Sequence, residues 1–309
     1  MRRCEIVGTG SWLPAGTVTF GDHTRYRIAP DESHLDALAT ASRRALDAAG
    51  VAPDEVDLVL GASAAGVQPI PCTAALVLEQ LTSGGRAAAF DVNSTCTSFI
   101  TALDVASRYL ALGDAETALI FSGDVGTRFL NPDQPEAFQL FSDAAAAVVV
   151  RRTDRDAGVL ASAQRTWPAH AHDTELRGGL SAHPAAAYAG GDPADYLFDM
   201  DGRAALLAMA RVLPGFFASF FEASGLTTDD CDLVVPHQAS PAMAPMLRRL
   251  GFAEGQFVDA VAEYGNMVSA SVPFTLVRAL ESGRVGRGDT VLLCGTAAGL
   301  TANALALRL

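Results

Sequence analysis

Apolar residues fall along this chain in two kinds of segment. Short unbroken runs, EIVGTG (5–10), VDLVLGAS (56–63), TALIFSGD (117–124), AAAAVVV (144–150), CDLVVPH (231–237) and DTVLLCG (289–295), alternate with alanine-rich windows of helical period. An unbroken apolar run of that length reads as a strand buried on both faces, and strands alternating with helices build βαβ units. The pattern predicts an α/β protein with a largely parallel sheet covered by helices on both sides.

The pattern also repeats. AAGVAPDEVDLVLGASA (48–64) lies without gaps on ASGLTTDDCDLVVPHQA (223–239), with Ala48, Gly50, Asp54, Asp57, Leu58, Val59 and Ala64 matched by Ala223, Gly225, Asp229, Asp232, Leu233, Val234 and Ala239. Each copy is a helix end, a glycine stop, a short acidic loop and a buried strand. ETALIFSG (116–123) and DTVLLCG (289–295) play the same part further along. Two copies point to an internal duplication rather than a solenoid. The halves are placed at 1–160 and 161–309. Between them, residues 164–200 are rich in His, Gly and Pro without a period, which predicts a loop or cap.

Composition narrows the setting. The chain has 309 residues, half of them hydrophobic, enough for a large core. Five cysteines (Cys4, Cys72, Cys96, Cys231, Cys294) form no CxxC pair, an odd set that predicts a reduced, cytoplasmic protein. No signal peptide is expected from MRRCEIVGTGSWLP, and no apolar stretch is expected to reach the ~18 residues of a membrane span. A net charge of −13 argues against a nucleic-acid surface and for a soluble protein. His170, His172 and Asp173 lie in the cap, where a His-x-His more often binds nothing, so no metal is expected. GTG (8–10) is no dinucleotide loop, because Leu13 holds the third glycine position and Pro14 follows without opening a helix.

Three places carry candidate chemistry. In DVNSTCTSFITAL (91–103), Phe99, Leu103, Ala106 and Leu110 recur at helical spacing, which puts Cys96 near a helix N-terminus. Unpaired backbone N–H groups there favour a thiolate, although a random intracellular cysteine is more often an inert core thiol. In VVPHQAS (234–240), His237 follows a buried strand at its carboxyl end, the edge where open α/β sheets build sites. In EYGNMVSASVPF (263–274), Gly265-Asn266 precedes a helical segment, which alone is an ordinary turn and cap signal.

Taken in order, GTGSWLP, FDVNSTCTSF, FSDAAAAVVV, MDGR (200–203), VPHQA, YGN…SASVP and GTAAGLT resemble the thiolase-fold condensing enzymes, and among them β-ketoacyl-acyl-carrier-protein synthase III, nearly end to end. The resemblance implies a thiolase-like fold of two pseudo-duplicated halves in a layered α-β-α-β-α arrangement. It implies that Cys96 carries an acyl group while the backbone N–H groups of Cys96 and Ala298 hold the oxyanion. His237 and Asn266 would stabilise the enolate of a decarboxylating malonyl thioester. Asn266 is an amide and cannot act as a base, which favours carbon–carbon bond formation over acyl transfer to oxygen or nitrogen. That acyl transfer is the alternative reading, and a non-catalytic subunit of a heteromeric synthase is the third.

The resemblance also implies partners. No cofactor is expected beyond coenzyme A or carrier-protein phosphopantetheine thioesters as substrates. The partners expected are an acyl carrier protein docking at Arg248 and Arg249, and a second copy of the chain, with Ile70 and Cys72 setting acyl length across the dimer. No nucleic acid or membrane partner is expected. One departure bears on the donor. The segment PAGTVTFGDHTRYRIAPDES (14–33) is shorter than in the family and lacks its coenzyme A-gripping tryptophan, with Phe20 or Gly21 at the following arginine position and Pro135 or Glu136 at the other. Arg25 and Arg27 are the nearby candidates to compensate.

Overall fold

The computed structural model describes residues 1–309. The N-terminal half runs β1 (Arg2–Trp12), β2 (Thr17–Phe20), β3 (His23–Tyr26), α1 (His34–Ala49), β4 (Leu58–Gly61), α2 (Thr73–Leu81), β5 (Ala88–Asp91), α3 (Ser98–Leu112), β6 (Thr117–Asp124), α4 (Pro135–Leu140) and β7 (Ala144–Arg152). The C-terminal half follows with β8 (Gly158–Thr166), β9 (Thr174–Glu175), β10 (Asp199–Met200), α5 (Gly202–Ser224), β11 (Leu233–Pro236), α6 (Met243–Arg249), α7 (Val261–Tyr264), α8 (Ser271–Glu281), β12 (Thr290–Ala297) and β13 (Thr301–Arg308).

The strand order is β11-β12-β13-β8-β1-β7-β6-β4-β5. It contains two half-sheets with the same order, β4-β6-β7-β1 and β11-β12-β13-β8, which meet edge to edge only at Arg2–Val159 and Arg3–Gly158, and β5 adds an edge strand beside β4. The equivalence extends to side chains. Asp57 accepts the backbone N–H groups of Glu116 and Thr117, and Asp232 accepts that of Thr290. Gly50 and Gly225 both end their helices in the left-handed region, at φ 62° and 71°.

The sheet is mixed rather than largely parallel. Only β4–β5, β4–β6 and β11–β12 are parallel, while β7 and β13 run back antiparallel beside β6 and β12. Unbroken apolar runs report burial on both faces, which strands of either direction share.

Alternate residues of each strand enter different cores. Ala118 and Ile120 of β6, with Leu233 and Val235 of β11, face a central layer formed by α3 and α8. Leu119 and Phe121 face α1 and α2, whereas Val234 and Leu292 face α5 and α6. The result is five layers, helix-sheet-helix-sheet-helix. Gly8 and Gly10 belong to this packing. A Cβ on either would lie 2.2 Å from Ala45 O or 2.3 Å from Ala41 O, so the glycines let α1 settle on β1.

Helix α5 runs 23 residues and is apolar enough, by length and composition, to cross a membrane, contrary to the sequence expectation. Its Leu213, Phe216, Phe217 and Phe220 are buried in the core against the C-terminal half-sheet. Of the expected 164–200 cap, residues 164–166 complete β8, and residues 167–200 have little regular structure. Its hub is Arg177, paired with Glu175, Asp195 and Asp199. His170 pairs with Asp173 there, His172 with Glu175 and His183 with Asp195.

Candidate active site

The two halves bring one turn each to the central layer. Thr95–Thr97 forms a 3-10 turn that leads into α3, and Val268–Ala270 forms one that leads into α8. Both turns start with a β-branched residue at φ 51°, Thr95 and Val268. A branched side chain is strained there, and an asparagine fixes each turn. Asn93 Oδ1 accepts Thr95 N–H at 2.9 Å, and Asn266 Oδ1 accepts Val268 N–H at 2.9 Å. Ser98 Oγ accepts Ser94 N–H at 3.0 Å, and Ser271 Oγ accepts Met267 N–H at 3.0 Å. In this register the counterpart of Cys96 is Ser269.

Cys96 thus sits at the helix start foreseen from the sequence, yet its thiol is not acidified. Burial, and then the charge of Asp124, push its pKa up to about 12, outweighing the N–H groups of Ala298 and of Cys96 itself that point to the sulfur. Ala298 lies in the tight turn from β12 to β13, and Thr95 Oγ1 donates to its carbonyl at 3.3 Å.

His237 follows β11. Its backbone N–H donates to Cys294 O at 2.8 Å. The loop is set by Gln238, whose amide donates to Pro236 O and Val258 O and accepts from Ala260 N–H. His237 is 4% exposed, and its Nδ1 is buried with no hydrogen-bond partner. Burial holds the imidazole neutral, with its pKa lowered to about 4. Gly295 lies between His237 and the Cys96 turn, where a Cβ would stand 2.6 Å from His237 Cβ and 3.4 Å from Thr97 Cγ2.

The Asn266 amide donates to Ala239 O at 3.2 Å. With Oδ1 on Val268, both ends of the amide are oriented and one N–H is left to donate. Beside His237, a cavity of about 60 Å³ opens between α5 and α6, lined by Leu206, Met209, Phe217, Met243, Cys294 and Thr296.

The structure therefore gathers Cys96, Ala298, His237 and Asn266 at one place, where β6, β11 and β12 end. It leaves Ile70 elsewhere, 85% exposed on the loop before α2. Arg248 and Arg249 close α6 on the surface, and both Arg248 nitrogens Nε and Nη2 are tied to Glu254. Arg25 is 1% exposed and donates to three backbone carbonyls, so it does not replace the missing coenzyme A grip. Arg27 lies over the rings of Phe20 and Phe138.

Sequence reasoning did not find Asp124, Gln238 or Gly295. Asp124 is buried and accepts Ala64 N–H, Ala65 N–H, and both the N–H and Oγ–H of Ser269. Asp124 and Gly295 act through contacts distant in the chain, and Gln238 through Val258 and Ala260 beyond its own loop.

A thiol, a neutral imidazole, an oriented amide and two backbone donors thus stand together at the ends of the duplicated half-sheets of a thiolase-like fold. Known proteins agree. Residues 90–168 match the model of the 3-oxoacyl-[acyl-carrier-protein] synthase III family, and residues 221–309 match the model of its C-terminal part. The β-ketoacyl-[acyl-carrier-protein] synthase III of Symbiobacterium thermophilum is 35% identical, across 96% of this chain and 89% of that protein. That of Xanthomonas campestris is 32% identical across 98% of each. The crystal structure of the Aquifex aeolicus synthase III, 27% identical, superposes with a TM-score of 0.88 over 99% of this chain and 100% of that one. The chain belongs to the 3-oxoacyl-[acyl-carrier-protein] synthase III family.

Proposed function

We propose that this chain loads an acyl group on Cys96 and condenses it with a malonyl thioester in a specialised fatty-acyl or polyketide pathway. In the first half-reaction the Cys96 sulfur attacks an acyl thioester, the donor's thiol leaves, and the thiol proton of Cys96 passes to it. Ala298 and Cys96 N–H groups hold the oxyanion. A thiol with a pKa of about 12 must lose its proton as it attacks, and that proton goes to the departing donor thiol, since burial, which lowers the His237 pKa to about 4, leaves the ring too weak a base to hold it.

In the second half-reaction the malonyl carboxylate leaves as carbon dioxide, and its bonding electrons form an enolate. The enolate carbon attacks the acyl carbonyl, the bond to sulfur breaks, and the Cys96 thiolate so released takes a proton from solvent. His237 and Asn266 donate to the enolate oxygen. The observation that carries this reading is their pairing: a buried imidazole, held neutral and so keeping one N–H to donate, beside an amide with one N–H free. Acyl transfer to oxygen or nitrogen calls for a base that takes the acceptor's proton. His237, with its pKa lowered to about 4 by burial, is a poor base, and the carboxylate that bears on Cys96, Asp124, is occupied by four donors.

The donor proposed is an acyl carrier protein, since Arg25 is committed to carbonyls and the family's tryptophan is missing. Arg249, the unpaired neighbour of Arg248, is the docking charge. The working form proposed is a cytoplasmic homodimer without a cofactor. Ile70 is exposed two residues before Cys72, whose thiol reaches Ala89 O of the edge strand β5, and this fits a surface that a second copy covers.

The test is intact-protein mass spectrometry with matched acyl-coenzyme A and acyl-carrier-protein panels, wild type beside Cys96→Ala, followed by malonyl-carrier protein. The chain has no lysine, so stray amine acylation is confined to the N-terminus. A wild-type-only adduct discharged to a β-keto product supports condensation. An adduct that malonyl leaves in place transfers the case to acyl transfer.

A further inference from the structure

The strand β3 buries Arg25 without a carboxylate to pair with. Its Nε donates to Gln139 O at 2.7 Å, and its Nη1 donates to Thr24 O at 2.6 Å and Ala262 O at 3.1 Å. Burial lowers its pKa from the usual arginine value. Taking a guanidinium out of water is costly unless its donors are met, and here backbone carbonyls alone meet them.

Those carbonyls are of a particular kind. Gln139 O and Ala262 O lie in the last turns of α4 and α7, where helix carbonyls lack partners of their own. The four terminal carbonyls of α4 are shared out completely. Ala137 O takes Phe141 N–H, Phe138 O takes Arg27, Gln139 O takes Arg25, and Leu140 O takes Asn266 N–H at 2.8 Å. Asn266 O in turn accepts Ser142 N–H at 2.9 Å. The backbone of Asn266 is thus stitched to the end of α4, one carbonyl away from Arg25. On the other side, Arg25 ties α7, which leads directly into Gly265 and Asn266. Gly265 has φ 71°, and a Cβ there would lie 2.6 Å from Leu140 O and 2.7 Å from Arg25 Cδ. Tyr26 stacks on Tyr264 at 5.9 Å, holding the same strand to the same helix.

We infer that Arg25 is a positioning residue for Asn266, its guanidinium joining the ends of α4 and α7 so that the Asn266 amide faces the reacting thioester. This rests on the proposed role of Asn266. Arginine is required because its planar fork reaches carbonyls on separate elements, which a lysine ammonium does not span.

The test compares Arg25→Gln and Arg25→Lys with wild type in the two half-reactions separately. Cys96 acylation should stay within about twofold, while malonyl decarboxylation falls about 10- to 100-fold, as small misplacements of an oriented group do. Arg25→Lys should fall less. In an Asn266→Ala background, Arg25→Gln should add nothing, since both changes remove one function. Arg25→Lys, which keeps the charge and the aliphatic stem, covers the case in which Arg25→Gln does not fold. Equal losses in both half-reactions, or an additive loss beside Asn266→Ala, would overturn the inference. A readout independent of the reaction is the side-chain amide resonance of Asn266 in a ¹⁵N spectrum, assigned by its loss in Asn266→Ala. It should move in Arg25→Gln, and an unmoved resonance also overturns the inference. If wild type neither loads nor decarboxylates while that resonance moves, the reaction reading fails and the positioning role stands.

Discussion

Asn93 and Asn266 make the same two bonds in the two halves. Each side-chain oxygen fixes the N–H of a β-branched residue at φ 51°, and each amide donates to the alanine that ends the paired strand loop, Ala64 O at 3.0 Å or Ala239 O at 3.2 Å. The backbone device is shared, and the chemistry is divided. The first turn carries Cys96, and the second offers the amide of Asn266 to the same space. The counterpart of His237, in the aligned strands, is Ala62.

The first prediction separates structure from chemistry. Asn93→Ala and Asn266→Ala each free a strained turn and should each cost about 1–2 kcal/mol in urea unfolding, the loss of a turn-fixing side chain. Only Asn266→Ala should abolish malonyl decarboxylation. Equal retention of decarboxylation by both variants would count against the role of Asn266.

His237 should make the fold acid-sensitive. Its folded pKa, about 4, lies below the ordinary 6.5, so the unfolded chain binds the extra proton between those values. Stability is fully present above pH 6.5 and falls as pH drops toward 4, by at most about 3 kcal/mol. Unfolding free energies of His237→Asn should show a shallower slope in that window, by up to one proton. Parallel slopes would show that the ring is charged in the fold.

The Cys96 thiol should titrate late. Alkylation by iodoacetamide should keep rising with pH and show no plateau near neutrality, where an acidified cysteine levels off. Asp124→Asn removes a raising charge and should make alkylation faster at a fixed pH. A plateau near pH 7 in the wild type would mean an ion-paired thiolate.

Gly295→Ala places a methyl 2.6 Å from His237 Cβ. It should destabilise by about 1–3 kcal/mol, the range for overpacking a tight site, and reduce turnover by moving the ring. Wild-type turnover in the alanine variant would place His237 outside the reaction.

Ile70→Trp should shorten the longest acyl chain accepted, read from the loading panel. An unchanged profile would remove Ile70 from the acyl tunnel.

The duplication was legible because a glycine stop and a following buried strand are local signals. Gly50 with Leu58–Leu60 and Gly225 with Leu233–Val235 give them in one stretch each. Cys96, His237 and Asn266 were readable as an ordered set of motifs because each stands at the junction of a strand or turn with a helix. Strand direction was not legible. AAAAVVV looks the same whichever way it runs, and pairing to β6 and β1 decided it. The hairpin of β2 and β3 was missed as well, since TVTF and HTRY are short, polar in alternation and stable only against α4 and α7.

The sequence by itself determined where the turns fall and which residue types stand on them, since capping, periodicity and burial act over a few residues. Tertiary structure decided what those residues are chemically. A helix N-terminus argues for an acidic Cys96, but burial and the charge of Asp124 outweigh it, because desolvation depends on everything packed around the sulfur. It also decided that Arg25, a plain arginine in a polar loop by sequence, lies beneath Asn266, because the carbonyls it joins come from residues more than a hundred positions away in either segment.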